Sequence, residues 1–414
     1  MKSIFSSANR RQFLQGAGLM SVLASTSSSL FPRNGLAAAA GAWPRNSIYN
    51  QLGIRPLINA AGTYTMLSAC TMPREVVQAM EEASRYQVSI PELHEAVGKR
   101  LAALTGAEAA LVTSGAANAL TLATAACLAG KDPEKITRIP DTAGMKNEVV
   151  LQKTHRFGYD HAIRATGARL VEVETRDQLV NAIGDKTIMM FFLNYADPKG
   201  DVKRQEFVEI ATKAKIPTLL DAAADVPPPG RLSEYVKMGF DLVAFSGGKG
   251  LRGPQCSGLL LGRKELIEAA YLNGSPHSDT VGRGAKVGKE EIVGLWTAVE
   301  VYMKRDHKAE WNEWESRASM IRKAVEGLRS VTSETFVPEI ANESPHVRIS
   351  WDPKVLPLTN DQVRKLLRDG DPRIEIRPSD GSLPNLEIGV WMLQPGQDKV
   401  VARRVRAVLS KNLT

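Results

Sequence analysis

The chain has 414 residues, of which 43% are hydrophobic, 24% charged and 6% aromatic, a globular balance that excludes disordered and collagen-like classes. Its length gives a soft prior of about two to three domains. Lysine and arginine total 53 against 45 acids, a formal charge of +8 with a pI near 9.3, and such an excess ordinarily raises nucleic acid or an anionic membrane as a partner.

The excess is not evenly spread. Residues 1–40 hold Lys2, Arg10, Arg11 and Arg33 and no acid, so the rest of the chain is only about +4 (8 less 4). The run Asn9-Arg10-Arg11-Gln12-Phe13-Leu14, a mildly apolar stretch to Leu30 and the small residues Ala37 to Ala40 resemble a bacterial twin-arginine export signal. Cleavage is expected near Ala38 to Ala40. Gly16, Gly18 and the cluster Ser25 to Ser29 interrupt the apolar run short of the ~18 to 20 residues that a membrane span needs. The expected mature protein is periplasmic or secreted, exported folded, with no stable membrane insertion and no nucleic-acid partner. Cys70, Cys127 and Cys256 stand far apart without CxxC spacing, so they read as free, buried thiols, with no metal site.

Residues 41–75 read as an N-terminal arm, 76–300 as a large domain, and 301–414 as a connecting helix with a small C-terminal domain. Between Glu108 and Gly262 short apolar runs alternate with helical patterns, the signature of β-α units. Seven strands are expected, at Ala110 to Thr113, Glu148 to Gln152, Arg169 to Val173, Thr187 to Asn194, Pro217 to Asp221, Asp241 to Ser246 and Ser257 to Leu261. Most are apolar on both faces, as buried parallel strands are. The fold class is therefore α/β, with a seven-stranded, mainly parallel sheet. From Lys289 a helical pattern runs to about Leu328, roughly 60 Å if unbroken, with a bend expected. Strands at His346 to Trp351, Arg373 to Arg377 and Leu386 to Trp391, and helices at Asn360 to Asp369 and Asp398 to Lys411, make the small domain α+β.

Ligands in open α/β folds collect at the carboxyl ends of strands, and three junctions there carry chemistry. At Thr113-Ser114-Gly115-Ala116-Ala117-Asn118 a strand yields to a helix whose free N–H groups suit a phosphate; an ordinary Ser cap is the alternative. At Leu220-Asp221-Ala222-Ala223-Ala224-Asp225 a carboxylate ends an apolar strand, a costly placement unless it meets a cation. A protonated heteroaromatic nitrogen would be one, and small Ala223 leaves room for a flat ring; a salt-bridged or capping Asp221 is the alternative, and Asp225 reads as a cap or a supporting group. At Ser246-Gly247-Gly248-Lys249-Gly250-Leu251-Arg252-Gly253 the glycines spell GxGxxG, but Pro254 follows and no helix starts, and no Ser or Thr follows the lysine as a P-loop requires. What remains is a glycine-wrapped lysine at the end of a buried strand, poised to act as a Schiff-base nucleophile. Together, a phosphate cradle, an acid for a pyridinium and such a lysine are what pyridoxal 5'-phosphate requires.

The strings FSGGKGLRGPQCSGLLLG, INAAGTYT, LTGAEAALVTSGAANAL, DAAADVPPP and GRGAKVGKEEIVGL resemble the selenocysteine synthase-related branch of fold-type I pyridoxal phosphate enzymes, over about residues 50 to 400. That branch includes D-glucosaminate-6-phosphate ammonia-lyase, whose pattern is the nearer one. The resemblance implies that Lys249 is the Schiff-base lysine, that Asp221 partners the pyridine nitrogen, and that Ser114, Gly115 and Ala116 meet the phosphate, with Ser246 adding a hydrogen bond. It places His155 where many such enzymes stack a ring on the cofactor, and Asn194 where it would contact the phenolic oxygen. Arg377, or less favourably Arg373, stands where a small-domain arginine grips a substrate carboxylate, with surface salt bridging as an equal contender. Arg283 and Lys286 are candidates for a substrate anion across a dimer interface. His161, His307 and His346 read as structural.

The activity so implied is that of a lyase on an amino acid or amino-sugar acid: loss of the Cα proton, elimination of a β-hydroxyl as water, and release of ammonia and a 2-oxo acid. Racemisation and β-replacement share its first steps, and a non-catalytic exported binding protein is a rival that an intact Lys249 and Asp221 argue against. A homodimer or a higher homo-oligomer is expected.

Overall fold

The computed structural model describes residues 47–379 and 381–412. The leader expected at 1–40, with the expected cleavage near Ala38 to Ala40, lies outside the described residues. A short strand, β1 (Ile58–Ala60), precedes a sheet built from β2 (Ala109–Thr113), β3 (Glu148–Gln152), β4 (Arg169–Val173), β5 (Thr187–Leu193), β6 (Thr218–Asp221), β7 (Leu242–Ser246) and β8 (Gly258–Gly262). The order across this sheet is β2-β8-β7-β6-β5-β3-β4. Strand β8 runs antiparallel to both of its neighbours, and the remaining pairs are parallel. Every strand except β8 therefore ends at one edge of the sheet, and that edge carries the three junctions singled out above. All seven expected strands are present, with small differences at their ends.

The sheet is buried because helices cover both faces. Strand β5, Thr-Ile-Met-Met-Phe-Phe-Leu, is buried at every position. Successive side chains alternate between two cores: Phe192, Leu220, Val243 and Phe245 pack on one side, Phe191, Leu219, Leu242 and Ala244 on the other. The second core is closed by the helix Gly115–Ala129, whose run of alanines and leucines lets it lie close on the strands.

The expected long helix from Lys289 breaks into Lys289–Lys304 and His307–Val325. Arg305 is extended and Asp306 caps the second helix, its carboxylate accepting from Ala309 N at 2.9 Å, so the expected bend is a full stop and restart. Beyond it come β9 (Val331–Phe336), β10 (His346–Trp351), β11 (Ile374–Ile376) and β12 (Asn385–Gly389). Strands β12, β10 and β9 form an antiparallel sheet in that order, while β11 pairs in parallel with β1. A third core gathers Ile58, Trp314, Ile321, Val347, Ile388 and Val405, so the early strand β1 is built into the C-terminal unit. The cysteines are free, but Cys70 and Cys127 are only partly buried and Cys256 is exposed, since it lies on the loop after Lys249 and not in a strand. Among the described residues no helix is long and apolar enough to cross a membrane.

Candidate active site

Lys249 follows β7, in a turn where Lys249 O accepts from Arg252 N at 2.9 Å. The turn is pressed against the segment after β6: a Cβ on Gly250 would lie 2.0 Å from Val226 O, so only glycine lets the lysine backbone approach this closely. Burial disfavours the ammonium and pushes the Lys249 pKa down, while the nearby carboxylates of Asp221 and Asp225 oppose that shift. Asp221, 6% exposed, ends β6 and accepts from Ala223 N at 2.9 Å. Its pKa is raised by burial, against the pull of that hydrogen bond and of Lys249. Two carboxylates and one lysine thus share a poorly solvated corner that favours an additional cation.

These groups line a cavity of about 490 Å³ together with Ala223, Ser246 and the backbone at Gly115, Ala116 and Ala117. The helix Gly115–Ala129 begins there without a side-chain cap on Ser114, and Gly115 takes φ +80°, so its first N–H groups are left for a ligand. Ser114 itself is not among the lining residues. Pyridoxal phosphate would be held by the free N–H groups at the start of this helix, by Asp221 and by Lys249, with small Ala223 leaving room for its ring. The residues present fit pyridoxal phosphate.

Several expected residues are placed differently. His155 is fully buried and does not line the cavity. Its Nδ1 accepts from Leu193 N at 3.1 Å, its Nε2 lies 3.2 Å from Gln152 Nε2, and its ring meets Phe192 edge-on at 4.3 Å. Burial, with Lys203 nearby, lowers its pKa to about 4. It is a neutral packing residue, and the rings that do reach the cavity are Phe157 and Tyr159, a few residues on. Asn194 does not reach it either: its amide donates to Asp225 at 2.5 Å and to Tyr235 Oη at 2.9 Å, and its oxygen accepts from Arg204 at 2.9 Å. Its nitrogen is thus spent on Asp225 and Tyr235 and its oxygen on Arg204; Asp225 lines the cavity, and burial pushes its pKa up to about 7.

A second cavity, of about 240 Å³, shares Lys249, Tyr159 and Thr65 with the first and is lined further by Gly62, Asn342, His346, Arg377 and Trp391. Arg377 thus lines the same cavity as Lys249, and among the described residues its side chain makes a loose contact to Glu387 at 3.7 Å. Arg373 does not line this cavity; it pairs with Glu375 at 2.9 Å and lines an adjoining one with Thr65 and Tyr159. Arg283 and Lys286 are exposed and reach neither cavity, although their loop packs on the cofactor helix through Asn118 Nδ2 to Ala285 O, 3.3 Å. His346, expected as structural, lines this second cavity. No local pattern marks it or Trp391, because the C-terminal unit brings them to the cavity of Lys249 from 97 and 142 positions away in the chain.

The family model for L-seryl-tRNA selenium transferase matches residues 55–329. The chain belongs to this selenium transferase family. Within it, the chain is 31% identical over 374 residues to a 5'-C-glycyluridine monooxygenase-decarboxylase of a Streptomyces species, covering 87% of this chain and 92% of that one. It is 30% identical over 378 residues to the D-glucosaminate-6-phosphate ammonia lyase of Salmonella typhimurium, covering 87% and 98%. Against an L-seryl-tRNA(Sec) selenium transferase of Alkaliphilus metalliredigens the match is 28% and spans 57% of that protein. A solved D-glucosaminate-6-phosphate ammonia-lyase superposes with a TM-score of 0.77 at 29% identity, covering 88% of this chain and 99% of that one. A solved structure of SPT with PLP, at 17% identity and TM-score 0.56, covers 85% and 87% and shares the fold. By family and by fold this selenium transferase relative is a pyridoxal phosphate-dependent enzyme with the fold-type I architecture.

Proposed function

We propose that the protein is a pyridoxal phosphate-dependent lyase acting on an amino acid or amino-sugar acid, with release of ammonia and a 2-oxo acid. The observation that carries this reading is the pair of joined cavities, one with the cofactor groups and one with Arg377, meeting at Lys249. Pyridoxal phosphate, when bound, supplies the electron sink for a carbanion at Cα. Asp221 holds a proton on the ring nitrogen. Lys249, with its pKa lowered by burial, takes the Cα proton and returns one to the departing oxygen. Arg377 binds the substrate carboxylate as a bidentate fork. The Cα–H and Cβ–O bonds break, one water leaves, and one water re-enters to release ammonia, so the substrate is neither oxidised nor reduced overall.

Matching 98% of the ammonia lyase but 57% of the selenium transferase supports a small-molecule substrate over a tRNA. The reading extends to export as a folded protein by the twin-arginine route, supported by Arg10-Arg11 and the acid-free leader. It also extends to a homo-oligomer, supported by Met66, 96% exposed on the segment that lines the site mouth. The test is a screen of cofactor-loaded protein against amino acids, assayed together for ammonia, 2-oxo acid and substrate chirality. Ammonia and 2-oxo acid in equal amounts are expected. Racemised substrate without ammonia, or oxygen consumption with carbon dioxide release, would replace the lyase reading with another activity.

A further inference from the structure

The turn that carries Lys249 is tied to the C-terminal unit by a residue that lines neither cavity. Arg252 has φ +58°, a left-handed conformation that costs free energy for any residue other than glycine. Gly247, Gly248, Gly250 and Gly253 surround it, so an arginine at the one position where glycine would be strain-free points to a task for its side chain. That side chain crosses between the units: Nη2 donates to Trp391 O at 3.1 Å and stands 3.7 Å from Glu310, a carboxylate shared with Arg305 at 3.6 Å. The neighbouring carbonyl, Val390 O, accepts from Arg317 Nη1 at 3.3 Å. Glu310 and Arg317 are seven positions apart on the helix His307–Val325, about two turns on one face, and Trp314 and Ile321 of that face are buried in the third core. One helix face therefore grips the Val390–Trp391 segment and faces the arginine that reaches it from the lysine turn. The same segment follows β12, whose Glu387 O accepts from Arg377 N at 3.2 Å, so Arg377 is carried with it.

We propose that Arg252 is a positioning residue for the proton transfer at Cα. By holding the Trp391 segment against the lysine turn, it fixes the gap between Lys249, which takes the Cα proton, and Arg377, which holds the carboxylate on that same carbon. The inference rests on the roles given to Lys249 and Arg377 in the lyase reading above. A second tie from the same loop, Gln255 Nε2 donating to Thr65 O at 2.9 Å, holds the turn to another residue of the cavity wall. With that tie and the burial of Lys249 in place, losing Arg252 leaves the cofactor lysine where it is and frees the unit that carries Arg377. Proton transfer is the step that registers such a change, because a misplacement of about 1 Å costs about 10²-fold in rate. Binding of the carboxylate by Arg377 does not depend on where Lys249 stands.

Arg252→Gly is the informative variant, because glycine takes the φ of residue 252 without strain and deletes only the link. Cofactor-loaded proteins are incubated in heavy water with D-glucosaminate and both enantiomers of the common amino acids. Cofactor absorbance gives the affinity, and proton NMR gives the rate at which the Cα hydrogen exchanges. For the compound that wild type exchanges fastest, Arg252→Gly should lower the exchange rate about 10²-fold with little change in affinity. Arg252→Lys, which keeps a donor but not the fork, should regain part of the rate. Glu310→Gln should slow exchange as well, and adding it to Arg252→Gly should cost little more, since both act through one link. Borohydride should still label Lys249 in every variant. An unchanged exchange rate in Arg252→Gly overturns the inference and leaves the lyase reading in place. So does a loss of rate that comes with lost affinity, lost label and a lower melting temperature, which is a structural role alone. No exchange of any compound by wild type overturns the lyase reading and the inference with it.

Discussion

Lys249, Asp221 and Asp225 occupy a corner where burial works against every charge they carry. A cationic ring nitrogen, which bound pyridoxal phosphate would supply, would compensate the carboxylates. Replacing Asp221 with Asn should therefore lower kcat by about 10²-fold or more, the size of losing one fixed electrostatic contact at a reacting centre, with the cofactor still bound. Steady-state rates on the substrate found by the screen check this. Asp225 makes a prediction of opposite kind, for the cofactor-free protein. Its folded pKa is about 7 against an ordinary 3.8, so the native state holds the extra proton between those values. The stability this confers is complete below 3.8 and lost as pH rises through about 7. Buried His94, His155 and His346, lowered to about 4, act in the other direction and cost stability as pH falls from 6.5 to 4. Melting temperatures of Asp225→Asn across about pH 4 to 8 should accordingly show a steeper rise up to about pH 6.5 and a weaker decline toward about 7 than wild type.

Among the elements, the glycine turn and the two strand ends at Thr113 and Asp221 position the chemistry. A Cβ at residue 250 cannot fit against the Val226 carbonyl, so Gly250→Ala must displace either the lysine turn or the segment after β6. The expected cost is about 1–3 kcal/mol of stability together with weakened cofactor retention, measured by thermal unfolding and by cofactor released on gel filtration. The same elements show why parts of the molecule are legible in the sequence. The strands of the large sheet announce themselves because burial on both faces demands continuous apolar runs, and Lys249, Asp221 and Gly115 lie where such runs end. Strand β9, Val-Thr-Ser-Glu-Thr-Phe, is an exposed edge with no such run, and β1 is three residues long. His155 follows its strand as a stacking ring would, but it is wholly buried, edge-on to Phe192, and lines neither cavity. The second cavity is the least legible part: Gly62, Asn342, His346, Arg377 and Trp391 meet only through packing of the C-terminal unit, and no local pattern encodes that meeting.

At the scale of the whole molecule, the basic excess that suggests nucleic acid divides between the acid-free residues 1–40 and a remainder in which many arginines are paired with acids, such as Arg231 with Glu234 and Glu343, and Arg348 with Glu334 and Glu387. If the leader directs export, Arg10→Lys with Arg11→Lys should leave full-length precursor in the cytoplasm, whereas wild type appears shortened by about 40 residues in the periplasmic fraction; equal export of both would contradict it. A homo-oligomer covering Met66 predicts a light-scattering mass of at least twice the mature chain. The central claim is that Lys249 holds pyridoxal phosphate against Asp221, and one measurement tests it directly. Borohydride reduction of cofactor-loaded protein, followed by peptide mass mapping, should find the phosphopyridoxyl group on Lys249, and Lys249→Ala should abolish both the label and the visible absorbance. A label on another lysine in the wild-type protein, or none at all, would contradict the account.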